Sequence, residues 1–305
     1  MKINTLESFN EFRNRKLFGE FPLYYLTKKI NILGYEIDND DSYAINEDAF
    51  YLSEEDLNRL IKNINHNYRQ IHDECDFYNA ASEIKIQINR QHLKNGVKLF
   101  SLSDTYIDEK VIIKKGATIF PNTYLEGKCN IEENTIIGPD SKITQSNIGK
   151  NTSVLKSVVI KSNIGQDCQI GPFSYIRPDS KIGNFVKIGD FVEIKKSIIK
   201  DKTKISHLTY IGDSNVGRNC NIACGVITAN YDGIKKYQTN IGDNSFIGCN
   251  VTMISPVNIE NDTYIAAGST ITNDVKENEL AIARNRQINK KNWVINKGFK
   301  RIEKD

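Results

Sequence analysis

Long apolar runs, paired cysteines and histidines are all scarce in this 305-residue chain, and each scarcity removes a class of function. No apolar run approaches the roughly 20 residues needed to cross a bilayer, so membrane insertion is not expected. Met1 to Leu6 do not open onto a signal-peptide core, which points to a cytoplasmic protein. The six cysteines are scattered without a CxxC pair, the pattern of a reducing compartment rather than of a disulfide framework. The formal charge is only +3, so bulk charge gives no ground for a nucleic-acid partner, and none is expected.

Charge and punctuation are unevenly shared along the chain. Residues 1–85 carry 10 Lys/Arg against 16 Asp/Glu, and the remaining 220 carry 31 against 22. The larger part therefore favours anionic small molecules or a modest anionic surface. Gly19, Gly34 and Pro22 are the only glycines and proline in the first 95 residues, whereas seventeen glycines and five prolines follow. Leu57, Ile61, Ile64, Tyr68 and Ile71 recur at helical spacing behind Ser53 as N-cap, predicting an amphipathic helix over 53–76. A shorter helix is expected near Thr5–Leu17. Residues 1–85 thus read as a small, mainly helical domain of unassigned role, joined through 86–105.

From about residue 106 a six-residue repeat takes over. Aliphatic side chains return at Leu125, Ile131, Ile137 and Ile143, and again from Ile164 through Ile170, Ile176, Ile182 and Ile188 to Ile194. A third series runs from Ile241 through Ile247, Met253, Ile259 and Ile265 to Ile271. Five-residue steps intervene occasionally, as from Ile143 to Ile148. Glycine often follows the aliphatic residue, and the fourth position on is small or β-branched. A period of six suits neither a helix nor an alternating strand. A β-sandwich would not hold one aliphatic register for so long. The period fits a mainly β fold, a triangular parallel β-helix over 106–283, in which each hexapeptide forms one face and glycine or a small residue eases the corner. The register breaks at 229–239, an expected ejected loop of the kind that carries sites on a solenoid.

One histidine, His207, lies within the repeat; His66, His72 and His92 precede it. A single histidine cannot form the three-histidine zinc site of the gamma-type carbonic anhydrases, so no metal is expected. Arg177, Lys195, Tyr210, Asn221, Asn230 and Lys236 fall in successive coils or in the loop, where stacking gathers them at one edge. Glu193 is expected to orient the His207 imidazole or stabilise its protonated form.

Residues 171–294 resemble the acetyltransferase domain of the bacterial bifunctional enzyme of UDP-N-acetylglucosamine synthesis, which joins a glucosamine-1-phosphate N-acetyltransferase to a uridylyltransferase within the hexapeptide-repeat superfamily. The segments that carry the resemblance are Gly171-Pro-Phe-Ser-Tyr-Ile-Arg-Pro178, Gly183-Asn-Phe-Val186, Val192-Glu-Ile-Lys-Lys196, His207-Leu-Thr-Tyr-Ile-Gly-Asp213, Asn230-Tyr-Asp-Gly233, Ile265-Ala-Ala-Gly268 and Ala281-Ile-Ala-Arg284. Similarity reaches upstream to Ile88–Val97. Their order and spacing are specific where each alone is weak.

The resemblance implies a left-handed helix, a homotrimer, and transfer of acetyl from acetyl-CoA to the 2-amino group of glucosamine 1-phosphate. It makes His207 the general base, with Glu193 and Asn230 as further catalytic residues. Arg177, Lys195, Tyr210, Asn221 and Lys236 would bind the sugar phosphate. Cys224, Asn230, Tyr231, Cys249, Ala267 and Arg284 would take the cofactor, and no acyl-enzyme is required. Cys224 and Cys249 depart from the alanine and serine common at those positions. Residues 1–85 are too short, and too poor in glycine, for the family's nucleotide-binding domain. Uridylyl transfer is therefore not expected of this chain, and a separate uridylyltransferase is a possible partner. Residues 284–305 form a basic tail. Acetylation of another amino sugar or of a nucleotide-linked amino sugar, and an inactive β-helix scaffold, are the alternatives; retention of His207 with the cations argues against the scaffold.

Overall fold

The computed structural model describes residues 74–298. The helix expected at Thr5–Leu17, nearly all of that expected over 53–76, most of the N-terminal segment and residues 299–305 of the tail lie outside the described residues. A helix, α1, spans Glu74–Lys94. Its Asn89 amide is fully buried and donates to the carbonyls of Leu102 (2.9 Å) and Thr105 (2.8 Å), tying α1 to the first coil. Among the described residues, no helix is long and apolar enough to cross a membrane.

The chain divides into two compact units, residues 1–150 and 151–305. In the first, strands of two to four residues pair in parallel with the third strand along. Lys98–Leu99 pairs with Thr118–Ile119, Thr105–Ile107 with Thr123–Glu126, and Ile112–Ile113 with Asn130–Ile131. The same rule governs the second unit. There Gln169–Ile170, Lys187–Asp190, Lys204–His207 and Asn221–Ile222 share a first face. Tyr175–Ile176, Glu193–Lys195, Tyr210–Gly212 and Ile227–Ala229 share a second. The fold is the expected left-handed parallel β-helix of hexapeptide repeats.

The aliphatic series is the core. Leu125, Ile131, Ile137, Ile143, Ile176, Ile188 and Ile194 have no exposed surface. Each such side chain contributes about 1.5–3 kcal/mol of burial. A second inward column stands four residues after each aliphatic. Its hydroxyls satisfy corner carbonyls that burial would otherwise strand: Thr135 donates to the Glu132 carbonyl (2.7 Å), Thr203 to that of Gly217 (2.7 Å). Cys129, Cys168 and Cys220 occupy this column and are buried. Burial pushes the Cys129 thiol up to about 11, so it packs rather than reacts.

The corners differ from expectation. Most glycines after the aliphatic residue do not supply a left-handed turn; at Gly189 a Cβ would collide with the Ser206 carbonyl one coil on. Close approach of coils is what they provide. The left-handed residue comes two positions later, at Asn134, Asp140, Asp167, Phe173 and Phe191 among others. Asparagine and aspartate tolerate that conformation because their short polar side chains bond locally. The break at 229–239 is a compact hairpin, with Tyr231 bridged antiparallel to Lys236 and the Tyr237 N–H donating to the Asn230 carbonyl (2.8 Å).

Candidate functional site

Stacking of coils in the second unit assembles two groups of side chains. The first is a column at the corner between the first and second faces. The Leu208 N–H donates to the Asp190 carbonyl (3.0 Å), that of Gly225 to His207 (3.3 Å), that of Asn250 to Cys224 (2.8 Å) and that of Gly268 to Cys249 (2.7 Å). Asp190, His207, Cys224, Cys249 and Ala267 are therefore successive rungs. Arg284 closes the column by donating from Nη1 to the Ala267 carbonyl (2.7 Å). The Thr209 hydroxyl fixes the His207 backbone through its carbonyl (2.7 Å). The His207 side chain is 56% exposed, and its Nδ1 hydrogen-bonds Asp190 Oδ1. Cys224 and Cys249 are free thiols, the first half-buried and the second exposed.

The second group lies on the second face. Arg177 Nη1 donates to Glu193 Oε1 (2.7 Å). Lys195 Nζ pairs with Asp213 Oδ2 (3.0 Å), which also accepts from Asn230 Nδ2. Tyr210 folds its ring back over Gly212, where any Cβ would strike the phenol oxygen and the Asn230 amide. Lys236 reaches this group from the hairpin. Its amine is held below the ordinary lysine value, first because the Lys195 ammonium donates to its neutral form and then by the charges of Lys195 and Arg177. The hydrogen bond with Lys236, joined by those of Asp213, raises Lys195, and that with Glu193 raises Arg177. Three cations thus converge on two carboxylates, and the crowding falls on Lys236.

Glu193 does not reach the imidazole. The coil from Ile188 to Ile205 is one residue short of 18, because the step from Ile194 to Ile199 is five residues. That short step sets Glu193 opposite Tyr210 and Asp190 opposite His207. Asp190 therefore takes the place beside His207 that sequence reasoning gave to Glu193. Asn221 stands on the first face between Lys204 and Phe246, and the structure does not bring it to the cation group. Tyr231 is exposed on the hairpin, its hydroxyl donating to the Gly233 carbonyl (2.7 Å). Sequence reasoning assigned no role to Asp190 or Asp213; the signal for both was an Ile-Gly-Asp tripeptide, recurring also at Ile241-Gly-Asp243.

The bacterial transferase hexapeptide model, six repeats long, matches residues 161–196 and 238–273. The bifunctional protein GlmU of Acetivibrio thermocellus is 46% identical over 299 residues, 98% of this chain and 60% of that protein. This chain is a hexapeptide-repeat homologue of GlmU. GlmU of Clostridium kluyveri is 45% identical over 98% of this chain and 61% of its own length. The chain thus spans about three fifths of the length of these relatives, and the match takes in residues 1–85 as well as the repeat. Among solved structures, a UDP-N-acetylglucosamine acyltransferase from Campylobacter jejuni aligns over 64% of this chain and 79% of its own, at 18% identity and a TM-score of 0.35.

Proposed function

We propose that this protein transfers the acetyl group of acetyl-CoA to the 2-amino group of glucosamine 1-phosphate, giving N-acetylglucosamine 1-phosphate for UDP-N-acetylglucosamine synthesis. The observation that carries the reading is the excess of cations on the second face. Among the described residues Arg177 pairs with Glu193 and Lys195 with Asp213, while Lys236 joins them without a carboxylate partner of its own. A phosphate dianion relieves that excess, with charge-assisted hydrogen bonds shorter and stronger than neutral ones. Tyr210 and Asn230 stand beside these cations to orient the sugar.

His207 is the general base. The sugar nitrogen attacks the thioester carbonyl carbon while the imidazole accepts the amine proton. The C–S bond then breaks, and the CoA thiolate leaves with that proton. The corner column from Cys224 through Cys249 and Ala267 to Arg284 supplies the cofactor edge, small side chains leaving backbone groups open and Arg284 meeting a CoA phosphate. The working form is a homotrimer with CoA held between neighbouring copies.

The test is thiol release from acetyl-CoA with glucosamine 1-phosphate, glucosamine and a nucleotide-linked amino sugar, using the wild type and His207→Ala. A general base contributes about 10²–10⁴-fold, so His207→Ala is expected to lose that much turnover at an unchanged thermal midpoint. Equal turnover by the variant removes the base. Absence of turnover with glucosamine 1-phosphate removes the substrate.

A further inference from the structure

A neutral imidazole acts as a base only through the nitrogen that carries no proton, and free imidazole in water does not hold one tautomer reliably. The corner column supplies what would settle the choice. Asp190 and His207 are in-register partners on adjacent strands, Lys187–Asp190 and Lys204–His207. The backbone locks both ends of the contact: the Leu208 N–H is bound to the Asp190 carbonyl, and the Thr209 hydroxyl to the His207 carbonyl. Asp190 Oδ1 meets Nδ1 of the ring and leaves Nε2 unengaged. Of the other carboxylates of these coils, Glu193 is committed to Arg177, Asp213 to Lys195, and Asp201 to the backbone N–H of Asn184.

We propose that Asp190 is the positioning residue of His207: it accepts the Nδ1 proton, fixes the imidazole as the Nδ1–H tautomer, and so presents a bare Nε2 to the substrate amine. The inference rests on the reading of His207 as the base. The His207 hydrogen bond, then the backbone N–H of Asp190 itself, holds the Asp190 carboxyl below the usual carboxylate range, so a carboxylate acceptor is present throughout the neutral range. Exposed as it is, the contact adds little to stability. Its value would lie in the tautomer, and the experiment therefore reads the tautomer.

Selective ¹⁵N-histidine labelling, with the His207 resonances assigned by a His207→Gln variant, reports which ring nitrogen carries the proton. The spectra are taken near pH 8.5, about two units above the ordinary histidine value. In the wild type Nδ1 is expected to resonate as protonated and Nε2 as bare. Asp190→Ala should shift His207 towards the Nε2–H form, and Asp190→Asn, whose amide oxygen still accepts, should keep much of the original pattern. In turnover, Asp190→Ala is expected to lose about 10- to 100-fold in kcat, a part of what a general base supplies, with KM for both substrates little changed. Asp190→Asn should recover part of that loss. An Nε2–H tautomer in the wild type, or an Asp190→Ala protein with unaltered tautomer, overturns the proposal. So does an Asp190→Ala protein with unaltered kcat. If the alanine variant does not fold, Asp190→Asn and Asp190→Ser decide by the same tautomer measurement. The spectra need no substrate, so failure to acetylate glucosamine 1-phosphate sinks that assignment separately and leaves Asp190 to be judged on the imidazole.

Discussion

Residues 105–148 and residues 187–284 are built from the same coil, with the same inward ladder and the same parallel pairing, yet their outward positions have opposite character. Two residues after the inward aliphatic, the corner of the first stretch holds Pro121 and Pro139; the second stretch holds Asp190, His207, Cys224, Cys249 and Ala267. On the second face the first stretch presents Glu126, bound by Lys142 (3.0 Å) and the Thr144 hydroxyl (2.9 Å). The equivalent rung of the second stretch presents Lys195, crowded by Lys236 and by Arg177 of the coil before it. Fold and chemistry are therefore written in separate columns of the same hexapeptide. A position that points inward answers to packing, and one that points outward is free to differ from coil to coil.

The comparison breaks most sharply on the inward ladder, where the two stretches should behave alike. Ile131→Ala and Ile188→Ala each remove a side chain with no exposed surface. Each is expected to cost about 2–5 kcal/mol, because coils tied by backbone bonds on both sides collapse little around a cavity. Urea unfolding monitored by far-ultraviolet circular dichroism checks both. A cost below about 1 kcal/mol at either position would mean that the ladder is not close-packed there.

That ladder was legible in the sequence because six-residue spacing of Ile, Leu and Val has no competing explanation over so many repeats. Coil stacking suggested that the cations gather, but their role was legible only through resemblance; on spacing alone, Lys195 does not differ from Lys200 or Lys204. Asp190 was hidden for a physical reason. An 18-residue coil carries Asp190 onto Leu208, and only the five-residue step from Ile194 to Ile199 slides it under His207. The left-handed corners were missed because Phe173, Phe191 and Leu208 adopt a conformation usually left to glycine, asparagine and aspartate. No residue-by-residue preference announces that. Coil pairing imposes it.

The helix ahead of the coils differs from them in its answer to acid. Burial pushes the His92 imidazole of α1 down to about 4, against an ordinary value near 6.5. Between those values the unfolded chain takes up the proton and the folded chain does not, so stability falls as pH drops from 6.5 towards 4 and the contribution is gone below that. The full loss is about 3 kcal/mol. His92→Gln should flatten this part of the pH dependence relative to the wild type in urea unfolding at a series of pH values. Parallel slopes for the two proteins would show that His92 is as hydrated in the folded chain as in the unfolded one.

The smallest expected effect separates the two outward faces. Lys236→Ala removes one cation of three and the charge-assisted hydrogen bond it offers the phosphate, so KM for glucosamine 1-phosphate should rise about tenfold or more with kcat less affected. Thermal stability should hold or improve, because the lost ammonium is one that Lys195 and Arg177 repel. Lys142→Ala, the cation on the second face of the first stretch, serves as the counterpart. It strips Glu126 of an ion pair and should lower stability while leaving KM unchanged. If the two variants exchanged these outcomes, the anion site would belong to the coils around Glu126. Equal effects on KM would point to a diffuse positive field instead of a built site, and raising the ionic strength would then weaken substrate binding in both proteins alike, since exposed charges are screened within about 10 Å at 0.1 M salt.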